Sequence, residues 1–418
     1  MKFLDNLDSF RYEEFVLNHS KKSHFMQSFY FGEIMKTKNF SPCYVGMEYD
    51  GKLVATALLL KKQLIGDYCY FYCPRGYVLD FNNIEVVSTF TNYLKNFGKL
   101  HKALFIKIDP DISFNKFDKD GNIIGSSNNE FIHDLKKLGY KHKGFSKDFV
   151  YEQPRFTFRM DLNKNFDDIY KMIHPTTRKI LNKGNQYNLD IYVGGSDDID
   201  SFYETMEETS KREGIRLTKK SYYLNFYNTF HEKNMSDLYI IKVKINNLIA
   251  TFEAKIIGLK NEETILKTTE YKNLQKRDHL IYDLEKQIEK AIIDLNNIKK
   301  IDKKEITLSS IMIVKYGNKA WTVHGGNSSL LRELNSNYLL YYSIISDIYN
   351  QGYKCIDFFG TSGEYNPSPE NPIFGIHSFK KRLGGEYMEF VGEFDLILNK
   401  PLYFGYQKLI PFYRKFKK

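Results

Sequence analysis

Apolar residues recur every seven positions through segment 274–298, and charged residues such as those of EKQIEK lie between them. The two rows consist of Leu274, Ile281, Ile288 and Leu295, and of Leu284, Ala291 and Ile298. Two rows with this spacing are typical of a helix that packs against a second helix. The pattern predicts a helical hairpin or short coiled coil of about three heptads, which we place at residues 262–304.

Two strand-like segments share one sequence pattern. Residues 44–60 and 239–255 each hold an apolar run, a two-residue turn, and then Leu, Val or Ile, Ala and Thr. The turns are Asp50-Gly51 and Asn246-Asn247, pairs that favour the positive φ of a hairpin turn. The pattern predicts a hairpin in both places, and either chance or an internal repeat of one α/β module explains the match.

Strand-like segments also flank the predicted arm, at 236–257 before it and at 306–326 after it. Helical periodicity covers 166–186, 197–214 and 331–352, and the last two segments end at a glycine, as helices often do. Helices interleaved with antiparallel hairpins predict an α/β (α+β) fold of two similar domains. The arm is then an insertion into a sheet domain rather than a linker.

Composition places the chain among globular proteins. Its 418 residues are 42% hydrophobic and 16% aromatic, which excludes a disordered chain and allows two or three domains. No run reaches the roughly 18 apolar residues of a membrane span, and the acidic start does not resemble a signal peptide. We expect a cytoplasmic protein, in which the cysteines are free thiols rather than disulfides or metal ligands. They are Cys43, Cys69, Cys73 and Cys355.

The chain carries an excess of positive charge. Lys and Arg number 61 against 51 Asp and Glu, which gives +10. This excess suits a polyanionic partner such as nucleic acid, nucleotide phosphates or an anionic membrane face, but a lysine-rich proteome would produce it as well. The tail 400–418 interleaves aromatic residues with six cations. It is either a contact with an anionic membrane surface or a last strand and helix with a basic end.

An ordered set of segments runs through nearly the whole chain. It comprises FMQSFYFGEIMK (25–36), YCPRGYVLDF (72–81), ALFIKIDPD (103–111), TTRKILNKGNQYNLDI (176–191), TSKREGI (209–215), HGGNSS, CIDFFGTSG and FGIHSFKKRLGG. In this set the chain resembles the FemABX family of non-ribosomal peptidyltransferases. The resemblance implies two tandem acetyltransferase-like (GNAT) domains with an inserted antiparallel coiled-coil arm. We place the domains at 1–150 and 151–418, with the C-terminal segment as a candidate for packing back on the first domain.

The resemblance also implies an activity. Members transfer an amino acid from aminoacyl-tRNA to a lipid-linked or UDP-linked muropeptide, at the inner face of the plasma membrane, without a metal or organic cofactor. For this chain, Gly, Ala and Ser are all candidates for the amino acid transferred. Two alternatives stay open: a non-catalytic tRNA- or membrane-binding protein, and a CoA-dependent N-acetyltransferase. The second is disfavoured because the adjacent glycines of KRLGGEY do not form the expected pyrophosphate-binding loop.

Three residues carry the chemistry that the resemblance implies. Phe379 and Lys380 match a pair that lines the channel for the charged tRNA end, and Lys380 is expected to stabilise the oxyanion. If this segment is a strand, Lys380 and Lys381 point to opposite faces, so that only one enters the cleft. The alternative is that Lys380, Lys381 and Arg382 are three solvated cations before a Gly-Gly turn. Asp109 is expected to orient or deprotonate the acceptor amine, unless it only caps a turn.

Nine further residues are predicted to bind substrates. Lys36 and Arg212 match the diphosphate-binding cations, although a surface lysine and a helix-end arginine are the simpler explanations. For the other seven residues, a role as turn residues or solvated charges is left open. The predicted precursor-binding residues also include Arg75, Tyr77, Gly325 and Gly326, and the predicted tRNA-binding residues are Arg178, Lys179 and Lys183.

Overall fold

The computed structural model describes residues 1–147 and 152–416. In chain order the strands are β1 Lys2–Leu4, β2 Ser41–Tyr49, β3 Lys52–Gln63, β4 Cys69–Cys73, β5 Val78–Leu79, β6 Ala103–Ile108, β7 Ser113–Phe117, β8 Ile123–Ile124, β9 Tyr140–His142, β10 Phe156–Asp161, β11 Asp190–Gly194, β12 Ser236–Lys244, β13 Glu305–Tyr316, β14 Lys319–Asn327, β15 Cys355–Gly360, β16 Glu386–Phe390 and β17 Phe394–Ile397.

The helices are α1 Ser9–Asn18, α2 Phe29–Lys36, α3 Ile84–Leu100, α4 Asn129–Lys137, α5 Phe166–Met172, α6 Pro175–Gly184, α7 Ile199–Glu213, α8 Lys220–His231, α9 Ile245–Thr268, α10 Leu274–Lys299, α11 Ser336–Asn350, α12 Phe374–Arg382 and α13 Lys400–Phe416. The three helical segments predicted from periodicity are all helical, and the first is divided into α5 and α6 at Pro175, which opens the second helix as proline often does.

Two mixed sheets form the body of the protein. The first has the order β1-β2-β3-β4-β6-β17-β9, with β5 beside β3, and the second has the order β11-β12-β13-β14-β15-β10-β16-β7-β8. Helices cover both sheets. The predicted α/β class with two sheet domains is therefore confirmed.

The two sheets exchange strands. Strands β7 and β8, from the first third of the chain, extend the second sheet, whereas β17 inserts between β6 and β9 of the first sheet. The N- and C-terminal parts of the chain are thereby hydrogen-bonded to each other in both sheets. The predicted boundary at residue 150 lies within 148–151, outside the described residues, and the domain limits stay a prediction.

The helical arm is longer than the sequence predicted. Helices α9 and α10 pack antiparallel, and the heptad residues from Leu284 to Ile298 are buried as predicted. Leu274 is 58% exposed because it starts α10 at the tip of the hairpin.

The predicted hairpin at Asn246-Asn247 is wrong, because these residues lie in the first turn of α9. Leu248, Phe252 and Ile256 are buried at helical spacing, so burial of this stripe favours a helix over a second strand. The equivalent turn at Asp50-Gly51 does form a hairpin, with φ of 48° and 76°.

An opening between two strands positions the candidate site. Strands β14 and β15 pair in parallel only from Lys319 to Trp321 and from Cys355 to Asp357. Beyond that point β14 continues beside β13, and the end of β15 pairs with β10. The end of β15 is consequently free of β14, and α12 lies against it through Lys380.

Candidate functional site

The FKKR segment is helical, so the predicted strand alternation of Lys380 and Lys381 is wrong. Both residues lie in the last turn of α12, where successive side chains are about 100° apart. Lys380 Nζ donates to the carbonyl oxygens of Phe359 (3.2 Å) and Gly360 (2.7 Å). Lys381 Nζ instead donates to Asn366 Oδ1 at 2.6 Å. The two lysines still differ in environment, as the prediction required.

The ammonium of Lys380 is easier to deprotonate than that of an ordinary lysine. Burial at the end of β15 lowers the pKa of Lys380 to about 8, and the nearby carboxylate of Asp357 opposes this shift. An ammonium has three N–H donors, and the described residues use two of them on the carbonyls of Phe359 and Gly360. One donor remains for a substrate oxygen.

The carbonyls that hold Lys380 are themselves held in place. Phe359 has a φ of 62°, which is strained for a residue with a side chain. Asp357 Oδ1 accepts hydrogen bonds from Phe359 N (2.7 Å) and from Thr157 Oγ1 (2.5 Å). Thr157 Oγ1 also lies 3.0 Å from the Phe359 carbonyl oxygen. This network orients the Phe359 backbone toward Lys380.

An arginine links this network to the other sheet. Arg159 donates through Nε to Asp357 and through an Nη to Asp111, both at 2.7 Å. Lys22 Nζ donates to the Asp111 carbonyl oxygen at 2.8 Å. The cations around Asp111, of which Arg159 contributes most, hold the pKa of its carboxyl well below the usual range. An ionised chain of contacts therefore runs from the Asp109–Asp111 loop to the end of β15.

Asp109 lies in this loop, directly after β6. It is 5% exposed and accepts hydrogen bonds from Tyr72 Oη (2.9 Å) and from Arg75 N (2.6 Å). Burial raises the pKa of Asp109 to about 7, and the charge of Arg75 opposes the shift. The carboxyl caps the Cys73–Gly76 turn, in which Arg75 has a φ of 60°. The capping role is thus present, and the role toward the amine stays a prediction.

Arg75 and Tyr77 have different surroundings. The Arg75 guanidinium lies 5.0 Å from the ring centre of Phe390, and its Nε has no hydrogen-bond partner among the described residues. Tyr77 is buried in the core of the first sheet, where its hydroxyl contacts that of Tyr140 at 2.9 Å. Arg75 remains a candidate for substrate contact, whereas the placement of Tyr77 favours a structural role.

Phe379 does not share the orientation of Lys380. Its ring packs against Tyr338 and Tyr341 of α11, with centroid distances of 4.8 and 4.9 Å. Phe379 thereby anchors α12 to the core of the second sheet. The predicted role in a tRNA channel finds no support in these contacts.

Arg212 is near the C-terminal end of α7 and contacts the end of β14. Its guanidinium donates to the Asn327 carbonyl oxygen at 3.3 Å and pairs with Glu213 at 2.9 Å. Gly326 explains the close approach, since an added Cβ would lie 2.4 Å from the Thr205 carbonyl carbon. At Gly325 the nearest atom would be 3.3 Å away. Gly326 is therefore required for packing of α7 on β14.

Lys36 ends α2 and is more exposed than Arg212. Its ammonium pairs with Glu33 at 2.6 Å, and 54% of its side chain is exposed. Helix α2 and helix α7 both contact α8, and Lys38, just beyond α2, lies 3.8 Å from the ring centre of Tyr222 in α8. Lys36 and Arg212 thus lie on two different helices, both of which contact α8.

The three residues predicted to contact tRNA lie on α6. Lys179 and Lys183 are exposed and one helical turn apart. Arg178 is half-buried, and its guanidinium lies 5.8 Å from the ring centre of Tyr170. The exposed pair presents positive charge, and the contact of all three residues with tRNA stays a prediction.

Sequence reasoning missed Thr157, Arg159 and Asp357. The sequence does contain a signal for Asp357, because it is an acid inside the apolar run CIDFFG, and a buried carboxylate requires partners. Thr157 and Arg159 alternate with apolar residues on β10, and no local signal separates them from other polar residues in strands. Their role depends on contacts with segments about 200 and 48 positions away.

No group of three or more metal-binding side chains occurs within 1–147 and 152–416. In the same part of the chain, every helix is too short or too polar to cross a bilayer. The four cysteines are free thiols, as predicted.

Known proteins match this chain over most of its length. The FemAB family matches residues 7–410. A lipid II:glycine glycyltransferase of Staphylococcus aureus strain USA300 is 29% identical over 383 residues, which is 88% of this chain and 87% of that protein. The protein of the same name in strain MRSA252 is 28% identical over the same shares of both chains.

A solved structure agrees with these matches. The match to the crystal structure of FemX covers 96% of this chain and 99% of the FemX chain, with a TM-score of 0.76 and 27% identity. The predicted tandem acetyltransferase-like fold is thereby confirmed. Since the family match spans nearly the whole chain, this protein belongs to the FemAB family.

Proposed function

We propose that this protein is an aminoacyltransferase that moves a small amino acid from aminoacyl-tRNA to the stem-peptide amine of a lipid-linked peptidoglycan precursor. The family match over residues 7–410 is the observation that carries the proposal. Relatives named for glycine transfer to lipid II match 88% of the chain, so glycine is the first candidate, ahead of alanine and serine.

The proposed reaction is aminolysis of the ester between the amino acid and the tRNA ribose. The acceptor nitrogen attacks the ester carbonyl carbon, the C–N bond forms, and the ribose oxygen leaves with the proton that the amine releases. Negative charge develops on the carbonyl oxygen in the tetrahedral intermediate. We assign its stabilisation to Lys380, because a fixed donor at developing charge favours the transition state over the ground state.

The acceptor amine must be neutral before it attacks. A lysine-like amine has an unperturbed pKa of about 10.4, and Asp109 is the proposed proton acceptor. A carboxylate whose pKa is about 7 is a stronger base than an ordinary one. Substitution of Asp109 by Asn separates this role from turn capping, because the amide oxygen can still accept from Arg75 N.

The remaining residues are proposed to hold the two substrates. Lys36 on α2 and Arg212 on α7 supply positive charge to the precursor diphosphate, and Arg75 contacts the muropeptide. Lys179 and Lys183 offer exposed charge to the tRNA backbone. No step of the proposed reaction uses a cofactor.

Transfer of labelled amino acids tests the proposal. Charged tRNA carrying Gly, Ala or Ser is mixed in separate reactions with detergent-solubilised lipid II or with the UDP-linked precursor. We expect labelled glycine on lipid II. Binding of tRNA without any transfer would favour a non-catalytic protein, and acetyl transfer from acetyl-CoA to an amine would favour the CoA-dependent alternative; either result overturns the proposal.

A further inference from the structure

Large apolar side chains are exposed where the β3–β4 turn, the end of α3 and the start of α13 meet. Ile65 in the turn is 78% exposed, and Leu100 at the end of α3 is 83% exposed. Tyr68, Leu402 and Leu409 are also exposed. Single exposed apolar residues need no explanation, but several at one place mark an interaction surface.

A depression lies where these segments meet. It has a volume of about 420 Å³ and is lined by Asp67, Tyr68, Lys99, Lys102, Ala103, Leu398 and Asn399. Asn399 Oδ1 accepts a hydrogen bond from Leu402 N at 3.2 Å, which brings the first turn of α13 to the edge of the depression. Ile65 lies two residues before Asp67, which lines the depression from the β3–β4 turn. Leu100 directly follows Lys99, which lines it from the end of α3.

Helix α13 presents one flank to this surface. Tyr403 is fully buried against Phe105, at a centroid distance of 5.4 Å. Tyr406, one turn further, packs on Tyr70 beside the β3–β4 turn. Leu402 and Leu409 are seven residues apart and so lie on one side of the helix, next to the Tyr406 side. They extend the apolar surface along α13.

The surface carries more positive than negative charge. Lys99, Lys102, Lys400 and Lys408 are exposed, whereas the acid in the depression is Asp67, which pairs with Lys102 at 2.7 Å. The helical arm also exposes apolar residues, yet its residues 245–299 include nine acids and nine Lys or Arg. Apolar exposure combined with excess lysine therefore distinguishes this surface from the arm.

We propose that this docking surface, defined by Ile65, Tyr68, Leu100, Leu402 and Leu409 with their four lysines, binds a bilayer that carries anionic headgroups. Apolar anchors surrounded by lysines suit the interfacial region of such a membrane. Lysine is depleted in protein–protein interfaces, and aliphatic anchors gain nothing from a tRNA backbone. The biological purpose of this docking rests on the proposed function, because a lipid-linked acceptor resides in the membrane. Docking itself can be measured without catalysis.

Vesicle flotation of the full chain tests the docking surface. Vesicles contain phosphatidylcholine alone or phosphatidylcholine with phosphatidylglycerol. The wild-type protein is expected to bind the anionic vesicles more tightly, and the double variant Ile65→Asp with Leu100→Asp to bind them at least about tenfold more weakly. Ile265→Asp is the matched control on the arm, where Ile265 is 61% exposed; this variant is expected to bind like the wild type.

Measurements of transfer activity distinguish a loss of membrane docking from a loss of the proposed transfer reaction. The double variant should retain transfer to detergent-solubilised lipid II and lose it with lipid II in anionic vesicles. Equal vesicle binding by the wild type and the double variant overturns the docking surface, as does wild-type protein that binds neither vesicle. Absence of transfer by the wild type under both conditions contradicts the proposed function alone, because flotation still decides the docking.

Discussion

The environment of Lys380 sets it apart from the neighbouring Lys381. With saturating substrates, we expect Lys380→Met to lower turnover by about 10²–10³, the usual loss when one oxyanion donor is removed. Lys381→Met is the matched control, since its ammonium contacts Asn366 rather than the end of β15. Equal and small losses in both variants would mean that the cluster is a solvated helix end. Turnover with charged tRNA is the measurement.

The depressed pKa of Lys380 predicts a pH dependence. The ammonium is the form that stabilises an oxyanion, and its fraction falls as pH rises through about 8. Asp357 favours the charged form, and His377 on the same helix, with a pKa of about 4, stays neutral through this range. Turnover should therefore decline above pH 8 in the wild type.

Lys380→Arg provides the comparison, because an arginine stays charged far above this range. The ratio of wild-type to Lys380→Arg turnover, measured from pH 6.5 to 9.5, is expected to fall across a midpoint of about 8. A ratio that does not change with pH would show that deprotonation of Lys380 has no part in the rate.

Gly325 and Gly326 either allow α7 to pack on β14 or contact substrate, and substitution of each glycine distinguishes these two roles. Gly326→Ala places a methyl group 2.4 Å from backbone of Thr205, so unfolding free energy should fall by about 1–3 kcal/mol. In Gly325→Ala the nearest atom is a side-chain carbon of Ile311 at 3.3 Å, and a smaller loss is expected. Urea denaturation measures both.

A contrary result for the glycines would be equal stability of the two variants. If both also weakened binding of the precursor, the pair would contact substrate rather than α7.

The helical arm is predicted to serve tRNA engagement rather than folding of the two sheets. A short loop that replaces residues 257–293 leaves the buried base of the arm, including Phe252 and Leu295, in place. The balanced charge of the arm offers little long-range attraction, so only a several-fold rise in KM for charged tRNA is expected. Precursor binding should not change. Failure of the shortened protein to fold would make the arm structural.

Cations from two parts of the molecule are predicted to bind the precursor diphosphate together. Lys36→Met and Arg212→Met should each weaken precursor binding about tenfold, since each removes a charge-assisted contact. Lys137→Met is the control, because Lys137 also ends a helix and pairs with an acid three residues earlier. Calorimetric titration of the UDP-linked precursor measures all three. Unchanged affinity in both test variants would contradict a shared site.

Features that depend on neighbouring residues were determined by the sequence. The seven-residue spacing was enough to predict α10 and that a second helix packs against it, although not where that helix begins. Asp50-Gly51 was enough to predict the first hairpin. Lys380 and Lys381 do have different partners, but the strand alternation from which this was predicted is wrong, and the catalytic role of Lys380 stays a prediction. In each case the signal lies within a short segment of sequence, where burial of one apolar stripe or a positive φ limits the conformation.

Tertiary structure decided what depends on distant segments. Residues 245–257 were predicted to form a strand, and burial of Leu248, Phe252 and Ile256 on one side of α9 makes them helical instead. The exchange of β7, β8 and β17 between sheets has no local signal, because edge strands of similar composition can pair with either sheet. Phe379 packs on α11 for the same reason: a helix offers several faces, and the neighbours that fold against it select which one is buried. The Asp111–Arg159–Asp357 chain of contacts likewise exists only once three remote segments meet, since buried charges require partners that no local pattern supplies.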